Sequence, residues 1–372
     1  MTDTKDTNDT NDTAAALLRP VDLGALALPN RLVMAPLTRT RTGEARRPGP
    51  LNVEYYRQRA GAGLVVSEGV AISREAVGYV GTPGLWREDQ VDGWRTVTDA
   101  VHDAGGRVVA QLWHVGRISH TSFHDGHPPV SSTARPAEAR SYTAAGFEAT
   151  STPRALRTDE LPRVVDDYRR AAAAAREAGF DGVEVHAANG YLLEQFLAGA
   201  VNDRTDAYGG GVAARARLLA EVLDATTDGV GAADRVGVRL SLGNGTAGTH
   251  DEDPAGVLAY VGALLEERGL AYAHYVEPVT PAGRRVDLTQ ALRSTWRGPL
   301  VLAQGFTPAT AAQVVDEGRA DAVALGRAFI ANPDLVERVR RGAPLTEPDP
   351  STFYGTGPRG YTDYPALEDA AA

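Results

Sequence analysis

The chain has 372 residues, 43% of them apolar and 23% charged, with a net charge of −10 and no cysteine. That length suits an α/β barrel with added loops, and the acidic balance argues against a nucleic-acid or acidic-membrane surface, since both need basic patches. The lack of cysteine excludes disulfides, thiolate metal sites and cysteine nucleophiles, and Lys5, the only lysine among 38 basic residues, lies in a polar tail, which excludes a Schiff-base barrel enzyme.

Residues 1–13 repeat a short Asp/Thr/Asn unit that has no apolar surface to bury, so a disordered tail is expected to residue 16 and a single barrel domain over 17–372. The tail contains no apolar run of the signal-peptide kind, and no stretch reaches the roughly 18 apolar residues of a membrane span, so the expected location is cytoplasmic, without a membrane or nucleic-acid partner. Pro20–Pro29 reads as a small hairpin plugging the N-terminal face of the barrel. Eight short Val-, Leu- and Ala-rich runs then come in turn: Arg31–Pro36, Gly63–Glu68, Arg107–Leu112, Asp181–His186, Arg235–Leu240, Ala271–Val276, Pro299–Ala303 and Asp321–Leu325. Their near-continuous apolarity predicts strands covered on both faces. Helical patterns alternate with them at Asp89–Asp103, Thr158–Ala178, Ala213–Asp228, Asp253–Arg268, Leu288–Trp296 and Pro308–Asp316, with start signals at Thr158, Asp253-Pro254 and Thr307-Pro308. Eight β-then-α units predict a (β/α)8 TIM barrel. A doubly wound sheet fits less well, because the first strand ends in Met34-Ala-Pro-Leu-Thr38 without a glycine. Trp113–Leu156 is an inserted excursion after strand three, expected to cap the C-terminal face.

Active sites of such barrels lie at the C-terminal strand ends. There the sequence places Pro36, Leu37 and Thr38; Glu68 and Gly69; Gln111; His186, Asn189 and Tyr191; Arg239; Glu277; Gln304 and Gly305; and Gly326 with Arg327. A glycosidase needs two facing carboxylates, and Glu68 and Glu277 read more simply as structural acids paired to arginines. His114, His120, His124 and His127 match no metal-site spacing, so no metal is expected. The remaining set is rich in donors and acceptors, as an organic cofactor requires. Gly305, Gly326 and Arg327 occupy the usual barrel phosphate position, and Arg239 is placed to offset charge on a reduced ring. His186 and Asn189 can act as paired donors to a carbonyl oxygen, and Tyr191 as a proton donor.

Longer segments carry a resemblance. Met34-Ala-Pro-Leu-Thr-Arg39, Gln111-Leu-Trp-His-Val-Gly-Arg117, the run from Asp181 to Phe196, the run from Asn202 to Gly210, Gly326 to Asp334, Thr352-Phe-Tyr354 and Gly360 to Pro365 closely resemble the Old Yellow Enzyme family of FMN-dependent ene-reductases. The resemblance implies that Pro36, Leu37, Thr38 and Gly69 meet the flavin, that Gln111 and Arg239 bond its pyrimidine side, and that Gly305, Gly326 and Arg327 hold its phosphate. It implies that His186 and Asn189 grip the substrate carbonyl, that Tyr191 donates the proton, and that Tyr79, Trp113 and Tyr354 line the pocket. NADPH or NADH would reduce FMN, which then passes hydride to an α,β-unsaturated carbonyl compound; nitro compounds and nitrate esters are further candidates. Thr38, where one branch of the family carries cysteine, implies the Thr-bearing branch.

The sequence also departs from the family's pattern. Ser241–Gly248 and Glu277-Pro-Val-Thr280 differ from the stretches usual after strands five and six, and Gly211, Ala213 and Ala214 replace a polar trio. The two loops are expected to reshape the pocket, so a dedicated biosynthetic step on a larger substrate is an alternative. A sugar-phosphate isomerase or lyase is a weaker one, for want of a lysine base.

Overall fold

All eight apolar runs form strands: β1 (Leu32–Met34), β2 (Leu64–Ala71), β3 (Val108–Trp113), β4 (Gly182–Ala187), β5 (Val236–Leu240), β6 (Tyr272–Val276), β7 (Leu300–Ala303) and β8 (Ala322–Leu325). Each pairs in parallel with its sequence neighbours, and β8 pairs with β1, so the sheet is a closed barrel. The computed structural model describes residues 14–279 and 285–367. The polar repeat over 1–13 and residues 280–284 of the loop after β6 lie outside them.

The strands are apolar on both faces because each face meets a different core. On β3, Val108, Ala110 and Leu112 pack outward against the helical shell, while Val109 points inward; Leu300 and Leu302 of β7 and Val323 and Leu325 of β8 likewise face out, opposite Val301, Ala303, Ala322 and Ala324. The inner cluster also takes in Leu23, Leu26 and Leu28. These belong to the expected plug, an antiparallel hairpin of Val21–Leu23 and Leu26–Leu28 tied to the barrel by the Ala25 N–H to the Asp234 carbonyl at 2.8 Å.

Predicted helix starts are realised chemically. The Thr307 hydroxyl accepts the Thr310 N–H at the start of Pro308–Asp316, and Asp253 accepts the Gly256 N–H at the start of Pro254–Arg268. Two expectations need correction. Residues 14–16, assigned to the tail, instead open a helical turn over 14–18, because Ala16 and Leu17 find apolar surface to bury. Strand β2 does not stop at Glu68: it bulges between Val66 and Gly69 and runs on to Ala71, with the Ser67 hydroxyl accepting the Gln111 N–H in place of a ladder bond.

The excursion after β3 builds the expected cap. Arg140–Thr143 and Gly146–Ala149 form a hairpin, Val130–Ser131 pairs with Arg154–Ala155, and Tyr142 bridges to Tyr79 beyond β2.

Candidate functional site

Along the inner face the side chains change character towards the C-terminal ends. Alternation on β4 sends Val183, Val185 and Ala187 outward, which leaves Glu184 and His186 inside. Register then sets Gln111 beside Glu184, and His186, Arg239 and His274 side by side on β4, β5 and β6. At the same level the opposite wall, from β7, β8 and the end of β1, carries the small side chains of Ala303, Ala324 and Ala35 inside.

The His186-to-Tyr191 segment leaves β4 through a tight reverse turn. The Tyr191 N–H bonds the Ala188 carbonyl at 3.2 Å, and Asn189 and Gly190 both have positive φ, 55° and 80°. Asn followed by Gly is the pair best suited to two left-handed residues in a row, and the helix Leu192–Leu197 comes directly after it. The turn fixes how the three expected catalytic side chains meet. The His186 ring lies edge to face with Tyr191, with centroids 5.1 Å apart, and both meet Trp113, at 6.3 and 4.9 Å. Tyr79 stacks on Trp113 at 5.5 Å, and its hydroxyl sits 3.2 Å from that of Tyr191. Tyr79, Trp113, His186 and Tyr191 therefore form one aromatic box. The Asn189 side chain makes no hydrogen bond among the described residues.

Protonation is set by the surroundings. Burial, and then the neighbouring Arg239 and His274, push the pKa of His186 well below the ordinary imidazole value, so the ring is neutral. Its Nδ1 accepts the Ala188 N–H at 3.3 Å, which leaves the proton on Nε2. Burial and the neighbouring Tyr79 push the Tyr191 phenol well above its usual value, so it keeps its proton. The site thus presents neutral donors.

One layer below lies a group that sequence reasoning passed over. Glu184, fully buried, accepts from Gln111 Nε2 at 2.7 Å and from the Tyr272 hydroxyl at 3.1 Å, and lies 2.8 Å from His274 Nδ1. Burial opposes its ionisation, but His274 and Arg239 more than offset that and hold it below the usual carboxylate range. Arg239 itself makes no hydrogen bond among the described residues, and its Nε is buried without a partner; His274 Nε2 is likewise unmatched. A half-buried guanidinium with spare donors, backed by a buried carboxylate, is a receptor for an anionic or acceptor-rich group.

The residues expected to hold a flavin fit such a group. Pro36, Leu37 and Thr38 are half-buried beyond β1, and Gly326 lies against Leu37, where an added Cβ would come within 3.2 Å of Leu37 Cδ2. Gly305 borders open space, and exposed Arg327 has no partner among the described residues. The Gln111 amide nitrogen is committed to Glu184, so its carbonyl oxygen is the group it has left to offer. Gly69 also gives Trp113 its room: a Cβ there would lie 2.6 Å from Trp113 Cε3.

Tyr354 lies at the outer rim, packed on Tyr142 and Phe147 of the cap hairpin at 5.4 and 5.6 Å. Its segment is held by buried Arg39, whose guanidinium donates to the carbonyls of Phe353 at 3.0 Å and Gly360 at 2.6 Å. Of the two acids read as arginine partners, Glu277 meets Arg319 at 3.2 Å and Arg285 at 3.7 Å. Glu68 does not fit that reading. It accepts the backbone N–H groups of Arg39 and Thr40, at 3.1 and 3.4 Å, because the chain after β1 turns its amides rather than a guanidinium towards it. His114, His120 and His124 bond to loop groups: the Gly116 N–H, Ser122 and Ser119.

Comparison with known proteins agrees with this geometry. The profile of the NADH:flavin oxidoreductase / NADH oxidase family matches residues 16–346. The chain is 45% identical to 12-oxophytodienoate reductase 1 of Oryza sativa subsp. japonica over 368 residues, covering 96% of this chain and 94% of that protein. Among solved structures it superposes on morphinone reductase in complex with tetrahydroNAD with a TM-score of 0.90 at 49% identity, covering 96% and 99% of the two chains. The old yellow enzyme homologue from Zymomonas mobilis gives 0.91 at 42% identity, covering 94% and 99%.

Proposed function

Because the chain belongs to the Old Yellow Enzyme family of NADH:flavin oxidoreductases, we propose that it reduces the C=C bond of α,β-unsaturated carbonyl compounds, with FMN as its resident cofactor. The observation that carries this reading is the character of the box: His186 and Tyr191 are neutral proton-bearing groups in contact, and the nearest described carboxylate on β4, Glu184, is a layer below and bound to its own partners. Such a site can hold an oxygen and deliver a proton, but it has neither base nor nucleophile for hydrolysis. When bound, FMN supplies what the chain lacks, a carrier that accepts hydride from NADH or NADPH and gives it to the β-carbon.

The chain's own residues divide the remaining work. His186 Nε2–H and the Asn189 amide bond the substrate carbonyl and stabilise the negative charge that develops on it. The Tyr191 hydroxyl protonates the α-carbon and is oriented by Tyr79. Trp113 keeps the rings in place and excludes water. Arg239, Gln111, Pro36, Leu37 and Thr38 would hold the isoalloxazine, and Gly305, Gly326 and Arg327 the phosphate. Tyr354 with the cap hairpin forms the outer wall, where substrate choice is made; nitro compounds and nitrate esters are further candidates there. Our reading is of a cytoplasmic enzyme, since both nicotinamide donors are regenerated there. Among the described residues no helix is long and apolar enough to cross a membrane.

The test separates the two half-reactions. Tyr191→Phe should leave FMN reduction by NAD(P)H near wild type and slow alkene reduction by about 10²–10⁴-fold, the usual worth of a positioned general acid. Equal loss in both halves would remove the proton-donor role, and a purified protein that takes up no FMN would overturn the reading as a whole.

A further inference from the structure

The turn that carries Asn189 is held by a buried carboxylate outside the expected catalytic set. Glu194, on the helix Leu192–Leu197, is fully buried, and its Oε2 accepts the Gly190 N–H at 2.6 Å. The Ser241 hydroxyl, also fully buried at the end of β5, lies 3.0 Å from both Glu194 oxygens and accepts the Asn189 N–H at 2.6 Å. The serine therefore donates to the carboxylate and accepts from the turn. Gln195 closes the other side, with Nε2 donating to the Gly190 carbonyl at 2.7 Å. The loop after Ser241 rests on the same turn: a Cβ on Gly190 would come within 2.7 Å of the Thr246 carbonyl oxygen.

Two features set this apart from ordinary loop packing. No ion pair among the described residues involves Glu194, so its charge is met only by these hydrogen bonds. Burial pushes its carboxyl up to about 7, which makes it costly to keep. An Asn-Gly reverse turn also forms without a buried acid. What the carboxylate adds is direction, because it bonds one amide of the left-handed pair directly and the other through Ser241. Asn189 is otherwise free at its side chain, so the setting of its backbone decides where the amide points.

We propose that Glu194 and Ser241 are positioning residues for the carbonyl grip, fixing the Asn189–Gly190 turn so that the Asn189 amide and the His186 Nε2–H converge on one oxygen. This rests on the reading of Asn189 as a substrate donor. It assigns the first residue of the unusual Ser241–Gly248 loop a part in substrate binding, acting through the turn.

The experiment is a double-mutant cycle on the FMN-loaded enzyme. Binding of 2-cyclohexenone is measured by calorimetric titration without reductant, so that no turnover occurs. Ser241→Ala should weaken binding roughly tenfold, the effect of one charge-assisted hydrogen bond lost from the turn. Ser241→Thr, which keeps the hydroxyl, should restore it. Asn189→Gly removes the amide but suits a φ of 55°, so the backbone stays unstrained. In that background Ser241→Ala should cost no further affinity, although the Asn189 N–H bond it breaks is a backbone one present in both. A purely structural serine would cost the same in both backgrounds, and additive losses would overturn the proposal. Glu194→Gln tests the same link should Ser241→Ala fail to retain FMN, and unchanged enone affinity in that variant would also overturn it. If Asn189→Gly alone leaves affinity unchanged, the carbonyl-grip reading itself fails.

Discussion

Consider Gly69→Ala. Although Gly69 borders the bulge, its φ is not positive, so alanine meets no left-handed penalty and the main effect comes from one contact. The added Cβ would lie 2.6 Å from Trp113 Cε3 and 2.8 Å from Cδ2. Carbon atoms rest at about 3.5–4.0 Å, so the indole must retreat by about 1 Å. It has little room, being 2% exposed and packed against Tyr79, Tyr191 and His186. Overpacking of this kind costs about 1–3 kcal/mol. Displacing catalytic donors by about 1 Å can cost roughly 10²-fold in rate. Urea denaturation should therefore show a loss of about 1–3 kcal/mol, and stopped-flow oxidation of the reduced enzyme by an enone should slow by roughly 10–100-fold. Combining the change with Trp113→Leu should recover most of the stability. A single variant as stable and as fast as wild type would refute the reasoning. Intact stability with FMN affinity alone reduced would instead show that Gly69 acts by packing on the flavin.

Arg239→Met should weaken FMN binding by roughly 10–100-fold, the worth of hydrogen bonds from a charged donor, as read by flavin fluorescence on dilution; unchanged affinity would show that its free donors serve another purpose. Glu184→Gln removes the charge that backs Arg239 and one acceptor of the Gln111, Tyr272 and His274 network. It should lower thermal stability and shift the flavin midpoint potential upward, since Arg239 is then uncompensated; a potential equal to wild type would argue against that coupling. Glu68, fully buried, has its carboxyl pushed up to about 7 by burial, against an ordinary value of 4.5. A carboxyl raised on folding costs nothing below about 4.5 and its full penalty above about 7. Between pH 4.5 and 8 wild type should thus lose about 3 kcal/mol relative to Glu68→Gln, and a pH-independent difference in urea midpoints would contradict it.

The barrel was legible because eight apolar runs, free of alternation, have few other homes, and the closed sheet puts helices on one face and hairpin leucines on the other. The end of β2 was not legible, since the bulge at Ser67–Glu68 shifts the two-residue period and turns a strand residue into what reads as an end. The segment from His186 to Tyr191 was visible by residue type, but its tight turn was not; the consecutive Asn189-Gly190 was the available signal for two left-handed residues. Glu184 was missed although it stands two residues before His186, the spacing that puts both on the same face of a strand. Its partners Tyr272 and His274 come from β6 and meet it only once β5 has paired between the two strands. Glu194 and Ser241, 47 positions apart, likewise meet only once β4 and β5 have paired.

The bond from Arg39 to the Gly360 carbonyl joins residues 321 positions apart. Strand pairing is complete once β8 meets β1, but the outer wall with Tyr354 comes from the segment that follows. The bonds that close the barrel and the bonds that shape its mouth are therefore different sets. Arg39 belongs to the second, latching the segment of Tyr354 onto the rim, so the mouth can be altered there without touching the strand ladder.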